Sequence, residues 1–500
     1  MLNFKKPTSV LETVALGYLF IPIVVFMLSW IKVWISIPVA VLTAIALFKV
    51  LFGENSESNL KIKISYSFVI YSVICFALIL LLSYFLGQGG FTEQPYDATK
   101  HNFILKDLIE NPWPVRFNLS VNSGTLCYYI AGYIIPAIVG KITSSFEAAS
   151  LFSVIWHALG IYLAILVLYK SLINNKRQEK PVYLLCIFLV IMLFAPFNAI
   201  MQLVCFFIYP DQAIPDIHWI SDSINVSLSS NLTSLRYVYP QFVPSLIVIA
   251  LLFRMRKRYD KWALIVSPLI AYSVFSFAGA VELMLFLFLM DLIKDKNLKN
   301  SLKSIISIEN LAGIISASLF LLYLAGNILH PKPESARTSL ILIDYSRLPL
   351  VFILQELSWG FWIIFLFSSN KKEPLLWASS ICLFIFPFIE VGRFNDFCSR
   401  GSMPALLCLS VLLLYQLISI LERSENRIIP LTVLILSLLL SGAFFIPAEI
   451  NLPDNNKGIL TPEYNWWGFD SSIDFYTMND WTIYQYISWN DNSISNFILR

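Results

Sequence analysis

The sequence predicts an all-α protein, a polytopic transmembrane bundle of about thirteen spanning helices with interfacial helices and a C-terminal tail on its outer side. Three observations predict it. Hydrophobic residues make up 57% of the chain and charged ones 13%, with a mean hydropathy of +0.71, too little polar surface to solvate a soluble protein of 500 residues. Apolar runs of about twenty residues recur along the chain, the length a helix needs to cross the hydrocarbon core with its backbone groups bonded internally. Lysine and arginine gather in every second connector, the bias of segments retained inside the membrane. The net charge of +3 is spread through short loops, so no basic stripe suits a nucleic acid.

Taken in order, the spanning helices are expected near Val14 to Trp30, Val33 to Leu51, Ser65 to Phe85, Ala148 to Leu168, Pro181 to Phe207 and Phe242 to Phe253. Seven more follow near Trp262 to Phe277, Ala280 to Leu292, Leu311 to Ile328, Leu348 to Phe367, Leu375 to Phe388, Ala405 to Leu421 and Ile428 to Phe445. Lys5 and Lys6 precede an apolar stretch without a small-residue cleavage site, which reads as the first of these helices and not as a cleavable leader. With the N-terminus inside, the basic clusters all fall inside as well: Lys61/Lys63, Lys170 to Lys180, Arg254 to Lys261, Lys294 to Lys303, Lys371/Lys372 and Arg423/Arg427. That parity holds only if Tyr128 to Gly140 (YYIAGYIIPAIVG) does not cross, so it is expected to be an interfacial or re-entrant helix on the outer face.

The chain then divides into a membrane domain, 1–446, and an aromatic-rich outer tail, 447–500. Reactive outer loops lie at 87–147, 209–236 and 390–403, with a shorter one at 330–347. Long loops of this kind usually carry function. No glycine-rich phosphate cradle appears in the short inner loops. The seven cysteines show no metal or redox spacing; only Cys127 and Cys398 fall in outer loops, and whether they pair is left open.

The first loop (GGFTEQPYDATKHNFILKDLIENPWPV) is densest in reactive groups. Phe103, Ile104 and Leu108 recur at helical spacing, predicting an amphipathic helix on the membrane surface with Asp97 at its N-cap and His101 four residues on, on the same face. Asp97 is either a general base for a sugar hydroxyl, with Lys100 or His101 beside a phosphate or orienting the substrate, or only a helix cap. Glu282, Glu356 and Glu390 map to the outer halves of their helices, where a charge lines a wet cavity or is paired locally. In EVGRFNDFCSRGSMP, Arg393 and Arg400 suit a phosphate bidentately, unless Asp396 merely neutralises Arg400. Arg236 and Gln241 stand at the outer mouth of a helix. His218, Asp211, Asp216 and Asp222 lie upstream without diagnostic metal spacing. His157 reads as a core residue. The tail's aromatics, Trp466, Trp467 and Tyr476 among them, suit sugar rings, an interfacial belt or the core of a small cap.

One long outer loop bearing Asp97, a Tyr-rich interfacial segment and alternating helices on short basic inner loops together resemble the GT-C class of membrane glycosyltransferases. The runs YDATKHNFILKDL, PWPV, YYIAGYIIPAIVGK and GRFNDFCSRGSMPAL carry the likeness, and the size and outer tail are similar to bacterial serotype-converting O-antigen glucosyltransferases. The resemblance implies an inverting transferase in a bacterial inner membrane, its active site facing the periplasm. Asp97 inherits the catalytic base. The donor is a polyprenyl-phosphate sugar, its phosphate expected on Lys100, Arg393, Arg400 and Arg236. His101, Asp107, Gln241, Glu282, Glu356 and Asp396 are expected near the substrates. The implied partners are the acceptor glycan, such as lipopolysaccharide O-antigen, the bilayer, and a separate flippase and donor-lipid synthase. No nucleic acid and no cofactor are expected, with a divalent cation left open. An oligosaccharide polymerase and a lipid-linked glycan flippase are the rival readings; the flippase predicts charges across the midplane and paired broken helices.

Overall fold

The computed structural model describes residues 10–52, 64–119, 123–173, 179–197, 228–294, 298–328, 340–342, 358–367, 371–391, 395–422, 428–442, 449–451, 461–489 and 497–500. Helices dominate. The first three are α1 (Val10–Trp30), α2 (Val33–Phe52) and α3 (Tyr66–Phe85). The outer loop follows with α4 (Ala98–Glu110), strands β1 (Arg116–Asn118) and β2 (Ser123–Leu126), and α5 (Ala131–Thr143). The chain continues through α6 (Phe146–Ile173), α7 (Tyr183–Leu193), α8 (Asn231–Tyr237) and α9 (Tyr239–Arg254). Next come α10 (Trp262–Val266), α11 (Leu269–Tyr272), α12 (Val274–Lys294), α13 (Leu298–Ile305) and α14 (Ile308–Ile328). After β3 (Leu340–Leu342) lie α15 (Ser358–Phe367), α16 (Pro374–Ile385), β4 (Ile389–Val391), α17 (Asp396–Gly401), α18 (Met403–Leu421) and α19 (Ile428–Gly442). The tail supplies α20 (Ser472–Tyr476), α21 (Asp480–Tyr486) and β5 (Ile487–Trp489).

Seven helical stretches among the described residues are long and apolar enough to cross a bilayer, as in a multi-pass membrane protein. Shorter apolar helices pack among them, α5, α7, α9, α15 and α19 included. At 13 residues, α5 reaches only about 20 Å, which fits its expected re-entrant or interfacial placement. The single span expected from Trp262 to Phe277 is instead broken into α10 and α11. Pro268 supplies no backbone N–H, and Ser273 turns extended while its Oγ accepts from Ser276 N at 3.2 Å, starting α12 afresh at Val274. The helix expected from Pro181 stops at Leu193, where Phe194 turns extended two residues before Pro196; residues 198–207 lie outside the described set.

Three helices converge at one end of the bundle. α1, α6 and α9 each reach one ionic end, where Glu12 of α1 meets Lys170 of α6 at 3.6 Å and Arg254 of α9. Arg256, almost wholly enclosed, pairs there with Asp291 of α12 at 3.3 Å and with Glu373, and Lys257 reaches Asp291 at 3.0 Å. Lys49 meets Glu309 at 3.5 Å. Among the described residues, Lys49, Lys170, Arg254, Arg256 and Lys257 thus collect at one end. Close approach of these helices depends on Gly160, where an added Cβ would fall 2.4 Å from Val243 Cγ1 and 2.6 Å from the Tyr18 hydroxyl.

The opposite end is capped by the first outer loop and the tail together. β2 is the middle of a three-stranded antiparallel sheet, pairing Phe117 with Gly124 on one edge and Thr125 with Ser488 of β5 on the other. Arg500 N donates to Trp30 O at 2.9 Å, tying the tail to the end of α1. β3 pairs with β4, Ile341 opposite Glu390.

Candidate functional site

The segment that begins α4 is set by Pro95: Ala98 N donates to Pro95 O and Thr99 N to Tyr96 O, so the helix opens just past the proline. Asp97 occupies the N-cap position, but its side chain makes no capping bond. The expected cap is corrected: the carboxylate accepts instead from Lys100 Nζ at 2.7 Å, a bond in which both partners are charged. About a third of the Asp97 side chain stays open (31%), against 10% for Lys100.

A surface-lying α4 is also corrected. Apart from Lys106, Ile109 and Glu110 the helix is enclosed, and several of its polar residues find partners within the cap. Asp107 accepts from Ser472 Oγ at 2.7 Å and Tyr476 Oη at 2.9 Å. Asn102 donates to Gln94 Oε1 and Asn465 O. Lys106 sits over the Trp466 ring, which also packs on Phe103. Asp107 is therefore a clamp between loop and tail, remote in role from the substrate contact expected of it.

His101 is buried with both ring nitrogens engaged. Nε2 lies 2.9 Å from Tyr237 O, which can only accept, so Nε2 carries the proton and Nδ1 accepts from the Tyr133 hydroxyl. Burial, reinforced by the Lys100 charge, pushes the imidazole down to about 3. It is a neutral brace joining α4, α5 and the α8–α9 junction, with no nitrogen left for a substrate.

Burial alone raises the Asp97 carboxyl, but Lys100, bonded to it, and the charge of Arg400 outweigh that and hold it below the usual carboxylate range. Arg400 comes from α17, on the loop before α18. Its Nη2 pairs with Asp396 at 3.1 Å and its Nη1 donates to Tyr129 Oη at 2.7 Å. Tyr129 Oη also accepts from Tyr128 at 2.6 Å and from Gln241 Nε2 at 3.5 Å, leaving Gln241 Oε1 buried without a partner. Tyr486 of the tail lies near enough to feel Tyr129, Asp97 and Arg400. The sequence reading passed over Tyr129, because a tyrosine beside an apolar run reads as interfacial belt; the signal was the Tyr128-Tyr129 pair at the turn into α5.

The structure thus brings Asp97, Lys100, His101, Gln241, Asp396 and Arg400 to one end of the bundle, beneath the cap. It sets the others elsewhere. Arg236 pairs with buried Glu449 at 3.3 Å and covers the Tyr237 ring. Glu282 lies half-buried in α12 near Cys382 of α16, three residues beyond Gly279, which touches the Gly401 backbone. Glu356 and Arg393, like Asp211, Asp216, His218 and Asp222, lie outside the described residues. Cys127 and Cys398 are buried and form no disulfide with each other. Among the described residues no three His, Cys, Asp or Glu side chains gather as a cation site would require.

Chemically the site offers an ionised carboxylate partly open to solvent, two cations that a phosphate can recruit, and hydroxyl donors between them. Comparison with known protein families, with curated proteins and with solved structures finds no match to this chain.

Proposed function

We propose that the chain is a glycosyltransferase of the bacterial inner membrane, moving a hexose from a polyprenyl-phosphate donor to a periplasmic glycan such as lipopolysaccharide O-antigen. The observation that carries the reading is the meeting of Asp97 and Lys100 from one outer loop with Arg400 from another, at the end of the bundle opposite the basic connectors.

In this reading the donor's phosphate enters from the bilayer side and recruits Arg400 and Lys100, whose donors suit its oxygens. Lys100 turns from Asp97 to the phosphate and frees the carboxylate. An acceptor hydroxyl loses its proton to Asp97 as its oxygen bonds the anomeric carbon from the opposite face; the bond from that carbon to the phosphate oxygen breaks, and the lipid phosphate leaves with the electron pair. Tyr129 steadies Arg400. Asp97, held ionised, is ready to accept at neutral pH.

Replacing Asp97 by Asn removes the proton acceptor at constant size. Transfer is expected to fall by about a thousandfold or more, in line with the loss of a general base, with the protein still abundant in the membrane. Mass spectrometry of surface glycan from cells with and without the gene reads the activity. One added hexose per repeat supports transfer, longer chains point to a polymerase, and an unchanged glycan or full turnover by Asp97→Asn overturns the assignment.

A further inference from the structure

The cap's aromatic residues divide into two sets. Phe475, Tyr476 and Tyr486 are buried, and Trp466 is occupied by Phe103 and Lys106, so these build the cap itself. Tyr96 and Trp467 do not. They are 42% and 56% exposed, with ring centroids 3.9 Å apart and planes at 74°. Tyr96 is the residue before Asp97, and its hydroxyl feels that carboxylate's charge.

The backbone beneath this pair is strained and held. Trp467 has φ +49, a left-handed conformation that a bulky residue rarely adopts, and Gly468 follows at φ +75. Trp467 N donates to Asn465 Oδ1 at 3.0 Å. Asn465 is in turn fixed to the loop before Asp97: its N donates to Gln94 Oε1 at 2.9 Å and its O accepts from Asn102 Nδ2 at 3.1 Å. The indole leans on Phe469 with centroids 5.9 Å apart and otherwise stays open to water, and strain at so exposed a ring is of the kind ligand clamps hold.

We propose that Tyr96 and Trp467 form a stacking platform for a pyranose ring of the acceptor glycan, laying one of its hydroxyls against Asp97. The chemistry matches on both sides: the C–H face of a pyranose meets aromatic rings, while its hydroxyl rim meets the carboxylate. A lipid headgroup would need neither the fixed ring geometry nor the adjacent acid. The inference rests on the transferase reading for the meaning of Asp97, and its test is separable from that reading.

Saturation-transfer NMR measures binding to the protein in nanodiscs, with delipidated surface polysaccharide from the producing cells as the probe. Trp467→Ala and Tyr96→Leu are each expected to weaken Kd by about fivefold to tenfold, the scale of one aromatic contact. Trp467→Phe should recover most of it. Lys180→Ala, exposed on a basic connector at the opposite end of the bundle, should bind as well as the parent protein. Unchanged binding by both platform variants, or none by the parent, overturns the proposal. So does quenching of the Trp467 fluorescence, taken as parent minus Trp467→Phe, by lipids brominated near the headgroup, which would put the indole in the bilayer. Weaker binding by the platform variants together with full transfer by Asp97→Asn would keep the platform and remove the base.

Discussion

His101 and Asp107 sit on one helix and titrate in opposite senses. His101 is held neutral, pushed down from 6.5 to about 3 by burial first and then by Lys100. The folded protein therefore binds fewer protons there than the unfolded chain, and stability is lost as pH falls from about 6.5 toward 3. Burial pushes the Asp107 carboxyl up from 3.8 to about 6, outweighing the bonds from Ser472 and Tyr476. Here the folded protein binds more protons, so stability is lost as pH rises through that window. The two slopes oppose each other between about pH 4 and 6. Asp107→Asn should expose the histidine's acid lability, its thermal midpoint dropping more steeply than the parent's from pH 6 to 4 by the equivalent of about 1–3 kcal/mol; His101→Gln should give the reverse slope. Parallel profiles for all three proteins would refute both assignments. Asp97 and Arg400 were legible as charges in outer loops, because little else in such a chain is charged. The role of His101 was not, since its partners Tyr133 and Tyr237 are 32 and 136 positions away and a single sequence says nothing of such pairings.

At the scale of elements, α12 positions half of the site without contributing a charge to it. A Cβ on Gly279 would lie 1.9 Å from the Gly401 carbonyl oxygen, and Ser276 Oγ donates to Arg400 O at 3.1 Å. Gly279→Ala must push α17 outward and carry the Arg400 guanidinium with it. A displacement of about 1 Å is expected to lower transfer by about tenfold to a hundredfold, with the protein still monodisperse in detergent. Undiminished transfer would show that the reaction makes no demand on that contact. The long apolar helices were readable from hydropathy alone because lipid leaves the backbone no other choice. The breaks on either side of α11 were signalled by Ser267 and Pro268 before it and Ser273 after it, yet an apolar window averages such signals away. The strands escaped notice for a different reason: at three or four residues each they are too short to show alternation, and they exist only because loop and tail meet.

Over the whole molecule, charge sorts to the two ends, and this is the part of the sequence reading that needed no tertiary detail. Its sidedness can be measured. Glu110→Cys, exposed on the cap, should react with a membrane-impermeant maleimide in intact spheroplasts, whereas Lys180→Cys on an inner connector should react only after lysis. The opposite pattern would invert the orientation. The Asp107 clamp has a consequence in time as well. Its two partners, Ser472 and Tyr476, lie 365 and 369 positions further along the chain, so both are synthesised long after α4. Until then Asp107 lacks both donors and Phe103 lacks its Trp466 and Phe475 neighbours, so the lid over α4 can close only as synthesis ends.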